Sequence, residues 1–329
     1  MPCAKFRKFI FAYCAPARRY RQRLIIHTGL TVPTTHDYYE DPRNDDIKIY
    51  VNGNFFHRTE AKVSVMDSGF LLGDGVWEGI RLHQGRFLHL DAHLNRLFMG
   101  ADLLELNIHL TRDEIESALF STVVKNAMKT DVHVRLIVSR GLKKTPYQHP
   151  NATIGDPTIV IIPEYKIADK TVLENGIRLA SVETIRDTKV QNPNINSLSK
   201  HNCIAACIEA HKKGADEGLM FDPKGNVSTC NSTNFFIVRS NEVWTSTGQY
   251  CLKGITRSTV ISLCKENNIP VFEKNFSLED VYSADEVFVT GTFAGIIPVV
   301  EVDSHSINQG IRGNQTIALQ ALYRKHLDA

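Results

Sequence analysis

The pattern of apolar and polar residues predicts strands in the first half of this chain. Residues 49–58 (IYVNGNFFHR) are two short strands on either side of Asn52-Gly53, a dipeptide typical of a tight hairpin. Residues 132–141 (VHVRLIVSRG) alternate like a strand. Residues 157–164 (PTIVIIPE) form the continuous apolar run of a strand that is buried on both faces.

Helices are predicted between these strands, because other apolar residues recur at helical spacing. One helix runs from Asp91, as its N-cap, to Leu104. A second helix begins at Thr111, which forms a capping box with Glu114, and ends near Lys125. Strands and helices are grouped along the chain rather than strictly alternating, which favours an α+β fold.

A helix followed by a hairpin is predicted in the middle of the chain. The helix extends from about His201 to Lys213, with Ala, Ile and Cys side chains on its inner face, and Gly214 ends it. The residues 222–225 (DPKG) form a turn between two short strands. The next run, TCNSTNFF (229–236), places small hydroxyl and amide side chains before an apolar strand, as in the wall of a polar pocket.

The length of 329 residues is enough for two domains, each with its own core. Residues 165–176 (YKIADKTVLENG) are the predicted linker between a smaller N-terminal domain at 47–164 and a larger C-terminal domain at 177–329. A basic extension and a polar linker occupy residues 1–46.

The positive charge of the chain is concentrated at its N-terminus. The net charge of +2 does not favour an acidic partner, but residues 1–36 contain seven Lys or Arg and no Asp or Glu. Such a segment resembles an organelle transit peptide, with a disordered basic tail as an equal alternative, so a cytoplasmic and a mitochondrial location both stay open. No apolar run approaches the roughly 18 residues of a membrane span, so a membrane is not an expected partner. A nucleic acid is not expected either, because the only basic cluster is this N-terminal segment and few aromatic residues are interleaved with its charges.

The seven cysteines contain no CxxC pair and no spacing with His that is typical of a metal site. Reduced thiols are therefore expected, and no metal site is predicted.

Two turns in the second half could bind a phosphate group. Gly254-Ile255-Thr256 opens a helix, where free backbone N–H groups and the helix dipole favour an anion. Gly291-Thr292 ends a strand with similar donors. For each, the alternative is an ordinary capped turn.

Five spaced motifs resemble those of class IV aminotransferases. These are the fold-type IV pyridoxal-phosphate enzymes, which include branched-chain and D-amino-acid aminotransferases and aminodeoxychorismate lyases. The motifs are DSGFLLGDGVWEGIR (67–81), DAHLNRL (91–97), GADEGLMFD (214–222), CLKGITR (251–257) and FVTGTFAGIIPVVEVD (288–303). The resemblance covers about residues 47–327 and implies a two-domain homodimer with pyridoxal 5'-phosphate in the cleft between the domains.

The resemblance also implies roles for single residues. The cofactor phosphate would be bound by Arg96, Gly254, Ile255, Thr256, Gly291 and Thr292. The substrate would be faced by Trp77, Arg81, His133, Arg135, Phe293 and Ala294. Either Arg81 or Arg135 would bind a carboxylate, since a planar guanidinium suits bidentate recognition, with surface ion pairs as an equal alternative for both.

Two positions depart from the family pattern. Asn196 falls where the family has the lysine that binds the cofactor covalently, and an amide cannot form that bond. Thr229 falls where the family has a glutamate beside the pyridine nitrogen, and a hydroxyl cannot stabilise the protonated ring as a carboxylate does. Lys200, about one helical turn after Asn196, is the candidate catalytic amine, because a helical side chain leans toward the N-terminus. In the alternative, Lys200 is a surface residue.

The expected function is that of a pyridoxal-phosphate-dependent transaminase, which moves an amino group between an amino acid or amine and a keto acid. A lyase on the same scaffold is one alternative. The other is a non-catalytic homologue that keeps the phosphate site and binds a phosphorylated small molecule. The loss of both family residues, at Asn196 and Thr229, keeps this last alternative open.

Overall fold

The structure is a computed structural model, and it describes residues 41–328. The basic segment at 1–36, and with it the predicted targeting sequence, lies outside the described residues. Between residues 41 and 328, no helix is both long and apolar enough to span a bilayer. The same residues contain no cluster of His, Cys, Asp or Glu side chains that could hold a metal ion.

The first half of the described chain forms a six-stranded antiparallel sheet with the strand order β2-β1-β8-β5-β3-β4. Its strands are β1 (Lys48–Val51), β2 (Asn54–His57), β3 (Gly75–His83), β4 (Arg86–Phe87), β5 (Val132–Ser139) and β8 (Thr158–Tyr165), with β6 (Leu142–Lys143) and β7 (Thr153–Ile154) forming a separate two-stranded sheet. The helices of this half are α1 (Ser68–Leu72), α2 (Leu90–Leu103) and α3 (Arg112–Lys125).

The second half forms a nine-stranded mixed sheet, with the order β11-β10-β9-β16-β15-β12-β13-β14 and with β17 paired to β16. Its strands are β9 (Ile177–Ser181), β10 (Glu217–Phe221), β11 (Val227–Cys230), β12 (Asn234–Arg239), β13 (Glu242–Thr245), β14 (Val271–Glu273), β15 (Glu286–Gly291), β16 (Gly295–Val302) and β17 (His305–Ser306). Its helices are α4 (Lys170–Asn175), α5 (His201–Lys212), α6 (Ile255–Glu266), α7 (Leu278–Tyr282) and α8 (Asn314–Asp328). Short 3-10 helices lie at Pro42–Asp46, Pro150–Ala152 and Asn308–Gly310.

The second sheet is buried on both of its faces, as its apolar strands require. Successive side chains of a strand point to opposite faces, so Phe235 and Phe236 of β12 enter different cores. Phe236 packs with Val260 of α6 and Leu319 of α8, while Phe235 belongs to the core that contains Ile177. The apolar face of the first sheet packs instead into one core that includes residues of α2 and α3.

Most predicted elements of regular structure are confirmed, and the fold is α+β. The hairpin at Asn52-Gly53 joins β1 to β2, with Val51 opposite Asn54. The capping box of α3 is present, with both the Thr111 and the Glu114 contacts formed. The 222–225 turn is closed by a hydrogen bond from the Gly225 N–H to the carbonyl of Asp222.

The predicted N-cap of α2, Asp91, is wrong by two residues. The helix begins at Leu90, and its N-cap is His89, whose backbone is left-handed with φ 52° and whose side chain makes no capping hydrogen bond. Asp91 lies instead in the first turn, where its carboxylate pairs with Arg112. The chain reverses sharply after β4, and that reversal rather than a capping side chain sets where the helix begins.

The predicted inner face of α5 is only partly correct. Ala206 and Ala210 are fully buried, but Ile204 and Ile208 are 55% and 50% exposed, and Cys207 is exposed. The helix lies so close to β10 that a Cβ atom on Gly218 would come within 2.8 Å of the Ala206 carbonyl oxygen. Only small side chains fit such an approach, so the larger apolar residues of α5 face outward.

The connection between the two halves is more ordered than a plain linker. Residues 170–175 of the predicted linker form α4, which is capped by Asp169. The prediction also missed β16 (Gly295–Val302), a central strand of the second sheet that contains Pro298. The boundaries of the two domains at 47–164 and 177–329 stay a prediction.

Candidate active site

A cleft of about 430 Å³ is lined by residues of both large sheets and of the helices that follow them. Among its lining residues are nearly all of the predicted site residues: Trp77, Arg96, His133, Arg135, Asn196, Lys200, Thr229, Gly254, Ile255, Thr256, Gly291, Thr292, Phe293 and Ala294. No Asp or Glu of the described chain lines it, although three arginines and a lysine do. The cleft therefore suits a ligand with several negative charges.

Arg81 is the one predicted site residue that does not line the cleft. It lies on β3 two residues after Gly79, opposite His133 in the ladder with β5. His133 lines the cleft, but the Arg81 side chain does not and is close to Tyr323 of α8 instead. The family resemblance implied a substrate role for Arg81 but could not show which way its side chain lies.

Lys200 lies inside the cleft, at the N-cap position of α5. Its Nζ atom donates a hydrogen bond to Oδ1 of Asn196 over 3.1 Å and lies 5.3 Å from the centre of the Trp77 ring. Burial lowers the pKa of Lys200 to about 8; the Cys203 thiol opposes this shift, while nearby arginines such as Arg186 reinforce it. The amine is thus held in place and is easily deprotonated near neutral pH.

Lys200 is positioned by backbone hydrogen bonds that join the segment before α5 to strand β3 of the first sheet. The N–H of Trp77 donates to the Asn196 carbonyl over 3.0 Å, and the N–H of Leu198 donates to the Gly75 carbonyl over 2.9 Å. Residues 196–198 therefore extend the first sheet along the edge of β3 that β4 leaves free. A Cβ atom on Gly75 would lie 2.4 Å from the Val138 carbonyl oxygen of β5 and 2.7 Å from the Leu198 side chain, so a glycine is required where β3 lies between these two segments.

Arg96 reaches the cleft from α2 and is oriented by a buried carboxylate. Glu78 accepts hydrogen bonds from Nε and Nη2 of Arg96, both over 2.7 Å, and is 2.7 Å from Nδ1 of His93. Burial alone would raise the pKa of Glu78, but the hydrogen bonds from Arg96 and His93 outweigh it and hold that pKa below its usual value. Burial lowers the pKa of His93, despite its contact with Glu78.

Glu78 is a residue of the site that sequence reasoning missed. It is fully buried on β3, in phase with Val76, Ile80 and Leu82, all of which belong to the core. A charged residue at a core position of a strand needs a partner. The alternation of apolar residues along the strand, which places Glu78 on the same face as Val76 and Ile80, is therefore the signal in the sequence that could have identified Glu78.

The N-terminus of α6 forms one wall of the cleft. Gly254 is its N-cap and has no side chain to cap the first turn, so the N–H groups of that turn are available to a ligand. Oδ1 of Asn234 lies only 2.0 Å from where a Cβ atom on Gly254 would be. Nη1 of Arg96 donates to the Lys253 carbonyl over 3.3 Å, which ties the guanidinium to this turn.

The turn between β15 and β16 forms the wall opposite. Gly291 pairs with Gly295, and the three residues between them, including Thr292 and Phe293, line the cleft. Gly295 has φ 75°, and a Cβ atom there would lie 2.8 Å from the Tyr323 ring. The Tyr323 side chain is also close to that of Thr256, so this turn and the start of α6 meet at Tyr323.

Thr229 lines the cleft with a hydroxyl group whose proton is already engaged. Its Oγ1 donates to the carbonyl of Thr233 over 2.7 Å, so toward a ligand it can only accept. The nearby carboxylate of Glu217 lies behind the wall, where it accepts hydrogen bonds from Ser232 and Thr233. Glu217 therefore does not substitute for the missing acidic residue in the cleft.

Two further arginines face the cleft. The guanidinium of Arg135 lies 4.0 Å above the Trp77 ring, a cation–π contact that leaves its edge free to bind an anion. Nη1 of Arg186 lies 3.4 Å from Sγ of Cys203, one turn along α5 from Lys200. Arg186 was not predicted as a site residue, since nothing in its local sequence separates it from a surface arginine.

The comparison with known families identifies the family of this chain. The family "Amino-transferase class IV" matches residues 75–302 of this chain. The chain belongs to this family. The resemblance inferred from the five motifs is therefore confirmed.

Individual class IV aminotransferases resemble the chain over most of its length. A putative branched-chain-amino-acid aminotransferase of Methanocaldococcus jannaschii is 39% identical over 282 residues, which cover 84% of this chain and 96% of the relative. Branched-chain-amino-acid aminotransferase-like protein 2 of Arabidopsis thaliana is 37% identical over 293 residues, 87% of this chain. The chain spans about half of that relative, 51% of its length.

The same family is found among solved structures. The crystal structure of an aminotransferase from Brucella abortus bound to the co-factor PLP has a TM-score of 0.74 and 27% identity, and the match covers 86% of this chain and 99% of that one. The predicted fold-type IV architecture is confirmed by such matches.

Proposed function

We propose that this class IV aminotransferase is a pyridoxal-phosphate-dependent transaminase and that Lys200 is its catalytic amine. The observation that carries the proposal is the position of Nζ of Lys200, which lies inside the cleft, 3.1 Å from Oδ1 of Asn196. Asn196 occupies the expected lysine position, and Lys200, four residues later, brings its amine within hydrogen-bond distance of the Asn196 side chain. The bound co-factor of the Brucella abortus relative supports the choice of pyridoxal phosphate.

The residues of the cleft fit the phosphate group of this cofactor. Donors converge on one end, from the guanidinium of Arg96 and from the free first turn of α6 at Ile255 and Thr256. Thr292 adds a hydroxyl from the opposite wall. The cradle is tight, because Asn234 occupies the space that any side chain at 254 would need. A doubly charged anion suits such a site, since no carboxylate from residues 41–328 lines it.

Bound pyridoxal phosphate supplies an electron sink for the bond that breaks next to the substrate amino group. Lys200 would move the proton: with a pKa of about 8, its Nζ atom can both accept and return a proton near neutral pH. Asn196 holds this amine on the Trp77 side of the cleft through the 3.1 Å hydrogen bond. The Trp77 ring shields it from water on that side.

Thr229 adds no charge where the ring nitrogen of the cofactor would lie. Because its proton is engaged by the Thr233 carbonyl, its oxygen can accept a hydrogen bond from a ring nitrogen but adds no negative charge. We expect a weaker electron sink than a glutamate would give. We therefore expect the transaminase to have a low turnover number.

The substrate would be an amino acid and its keto acid. The free edge of the Arg135 guanidinium and the nearby Arg186 can bind a carboxylate. Phe293 and His133, whose rings meet edge to face at 5.8 Å, form an apolar wall beside it. Exposed apolar residues near the cleft, including Phe70 and Ile204, support a homodimer as the working form.

One experiment tests the proposal. The protein is incubated with pyridoxal phosphate, reduced with borohydride and digested, and the modified peptide is identified by mass spectrometry. We expect a pyridoxyl group on Lys200, no group in Lys200→Ala, and full labelling of Lys200 in Lys189→Ala, whose lost lysine is exposed nearby. Absence of any adduct would favour the non-catalytic homologue.

A second measurement separates transaminase from lyase. The wild-type protein is given an amino acid and a keto acid, and transfer of the amino group is followed by chromatography. Transfer supports the transaminase. Breakdown of the amino acid without transfer, together with an adduct on Lys200, would support the lyase instead.

A further inference from the structure

A second cavity lies behind the turn that carries Phe293 and Ala294. It has a volume of about 350 Å³ and lies between α4, α8 and the start of β16, so we call it the α4–α8 cavity. Its lining includes Lys170, Arg312 and Arg324, with Glu174 as its only carboxylate among the described residues. Its charge is therefore positive.

The cations of this cavity are not neutralised by the described part of the protein. Within residues 41–328, none of the three makes a salt bridge. The carboxylate of Glu286 on β15 accepts hydrogen bonds from the backbone N–H groups of Gln315 and Thr316 at the start of α8. An anion in the cavity would thus find unpaired positive charge.

One of these cations is held in a fixed orientation by neutral groups. Nη1 of Arg312 donates to Oε1 of Gln320 over 2.9 Å and to the Leu173 carbonyl over 3.2 Å. Gln320 is itself buried, and its amide nitrogen donates to the carbonyls of Leu173 and Ile296. Both donors and one lone pair of that amide are in use, so Gln320 is a fixed partner that anchors the guanidinium at Nη1 beside the cavity. A preorganised guanidinium of this kind suits a carboxylate.

The remaining walls are apolar. Leu173 of α4, Ile296 of β16 and the ring of Tyr323 line the cavity, together with Ala294. Ile296 and Tyr323 are buried. Positive charge on one side and hydrocarbon on the other favour a ligand that carries both a negative group and an aliphatic chain.

We propose that the α4–α8 cavity is a binding site for a small aliphatic carboxylic acid, with its carboxylate on Arg312, Arg324 and Lys170 and its chain against Leu173 and Ile296. The site is separate from the cleft and does not depend on the proposed transaminase activity. The two nevertheless share Ala294, and Tyr323 touches both the cavity and Thr256 of the cleft. An occupant would therefore contact the wall that forms one side of the active site.

The test is ligand binding by calorimetry and by saturation-transfer NMR, with hexanoate as the probe. Hexanol has the chain without the charge, and sulfate has the charge without the chain. The variant Lys170→Gln/Arg324→Gln removes two exposed cations of the cavity, so it should fold, and melting temperatures check this. Arg135→Gln is the matched control, because it removes an exposed arginine of the cleft instead.

We expect hexanoate to saturate a site in the wild type and in Arg135→Gln, with a dissociation constant in the millimolar range typical of small fragments. The double variant should bind hexanoate at least about tenfold more weakly, as expected when charge-assisted hydrogen bonds are lost. The single variants Lys170→Gln and Arg324→Gln should each show part of this loss. Hexanol and sulfate should bind more weakly than hexanoate.

Three results would overturn the proposal. One is hexanoate binding that the double and single variants leave unchanged. Another is binding that disappears in Arg135→Gln, since the probe would then occupy the cleft. The third is sulfate binding as tight as hexanoate binding, because general attraction of anions would then explain the affinity without an apolar subsite.

Discussion

The Nζ atom of Lys200 lies 3.1 Å from Oδ1 of Asn196, four residues earlier in the chain. The residue that the family pattern expects to be a lysine is thus the hydrogen-bond acceptor of the lysine that is present. The predicted helical turn between these two residues is wrong, because residues 196–198 pair with β3 and α5 begins only at His201. The Lys200 side chain instead reaches the cleft from the N-cap position of α5. The chemistry of the cleft depends on this pair.

The reactivity of Lys200 should follow its lowered pKa. Since the pKa is about 8, about half of the amine is neutral at pH 8, and the neutral fraction falls as the pH decreases. The yield of pyridoxyl adduct on Lys200 after a short pulse should therefore rise between pH 7 and pH 9 and then level off. A simple lysine peptide, with a pKa of about 10.4, should still be rising at pH 9 and serves as the control. A Lys200 profile that coincides with that of the peptide would contradict the inferred burial.

Loss of Glu78 should destabilise the whole protein. Glu78→Ala removes the partner of both Arg96 and His93 in a buried setting, so the free energy of unfolding should fall by about 3–5 kcal/mol. Urea denaturation measures this change. The control is Asp91→Ala, which removes the exposed partner of Arg112 and should cause a much smaller loss. Equal losses in the two variants would show that Glu78 is not a buried structural partner.

Gly254 should tolerate no side chain while Asn234 is present. Its φ of −62° suits any residue, so the effect of Gly254→Ala arises only from the 2.0 Å contact with Oδ1 of Asn234. We expect Gly254→Ala to lower the melting temperature and to weaken binding of inorganic phosphate. In the background of Asn234→Ala, the same substitution should have a smaller effect on both. Additive effects of the two substitutions would argue against the contact.

The two candidate substrate arginines should behave differently. Arg135→Gln removes a guanidinium that lines the cleft, so the KM for the amino acid should rise by about tenfold or more, as for a lost charge-assisted hydrogen bond. Arg81→Gln should change the KM much less, because Arg81 lies beyond the cleft. Steady-state kinetics of both variants measures this. The assignment of Arg135 fails if the two KM values change equally.

Replacement of Thr229 by glutamate should couple stability to the cofactor. In the absence of ligand, Thr229→Glu places a carboxylate in a buried position and removes the hydrogen bond to the Thr233 carbonyl, so the melting temperature should fall. Added pyridoxal phosphate should raise the melting temperature of Thr229→Glu by more than it raises that of the wild type. Thr229→Ser keeps the hydroxyl and is the matched control. If the cofactor stabilises all three proteins equally, the side chain at 229 does not meet the ring nitrogen.

Much of the fold can be predicted from local sequence, and the correct predictions have the same cause. The hairpin at Asn52-Gly53 and the capping box of Thr111 are each decided by a few adjacent residues. The start of α2 was wrong because it depends on the left-handed backbone of His89, which no side chain signals. The strand β16 was missed because Pro298 interrupts its pattern, and its neighbours in the sheet come from distant parts of the chain.

The residues of the candidate site could be predicted from the sequence only because they belong to the spaced motifs of the family. These brought together residues such as Arg96 and Thr292, which lie almost 200 positions apart and line one cleft. They could not show that Arg81 falls outside the cleft, or that Arg186 enters it, because both depend on how the strands and loops are placed in space. The exposed side chains of Ile204 and Ile208 were mispredicted for a similar reason, since the close approach of α5 to β10 admits only alanines.

The short pairing of residues 196–198 with β3 has a consequence for how the molecule comes apart. The same segment continues into α5, whose Ala206 packs with residues of the second sheet, such as Met220. One continuous segment of chain therefore contacts both sheets, and neither sheet can unfold without disturbing the contacts of this segment with the other. We expect a single cooperative transition in place of two, with the backbone amides of Trp77 and Leu198 exchanging with solvent only when the whole protein opens.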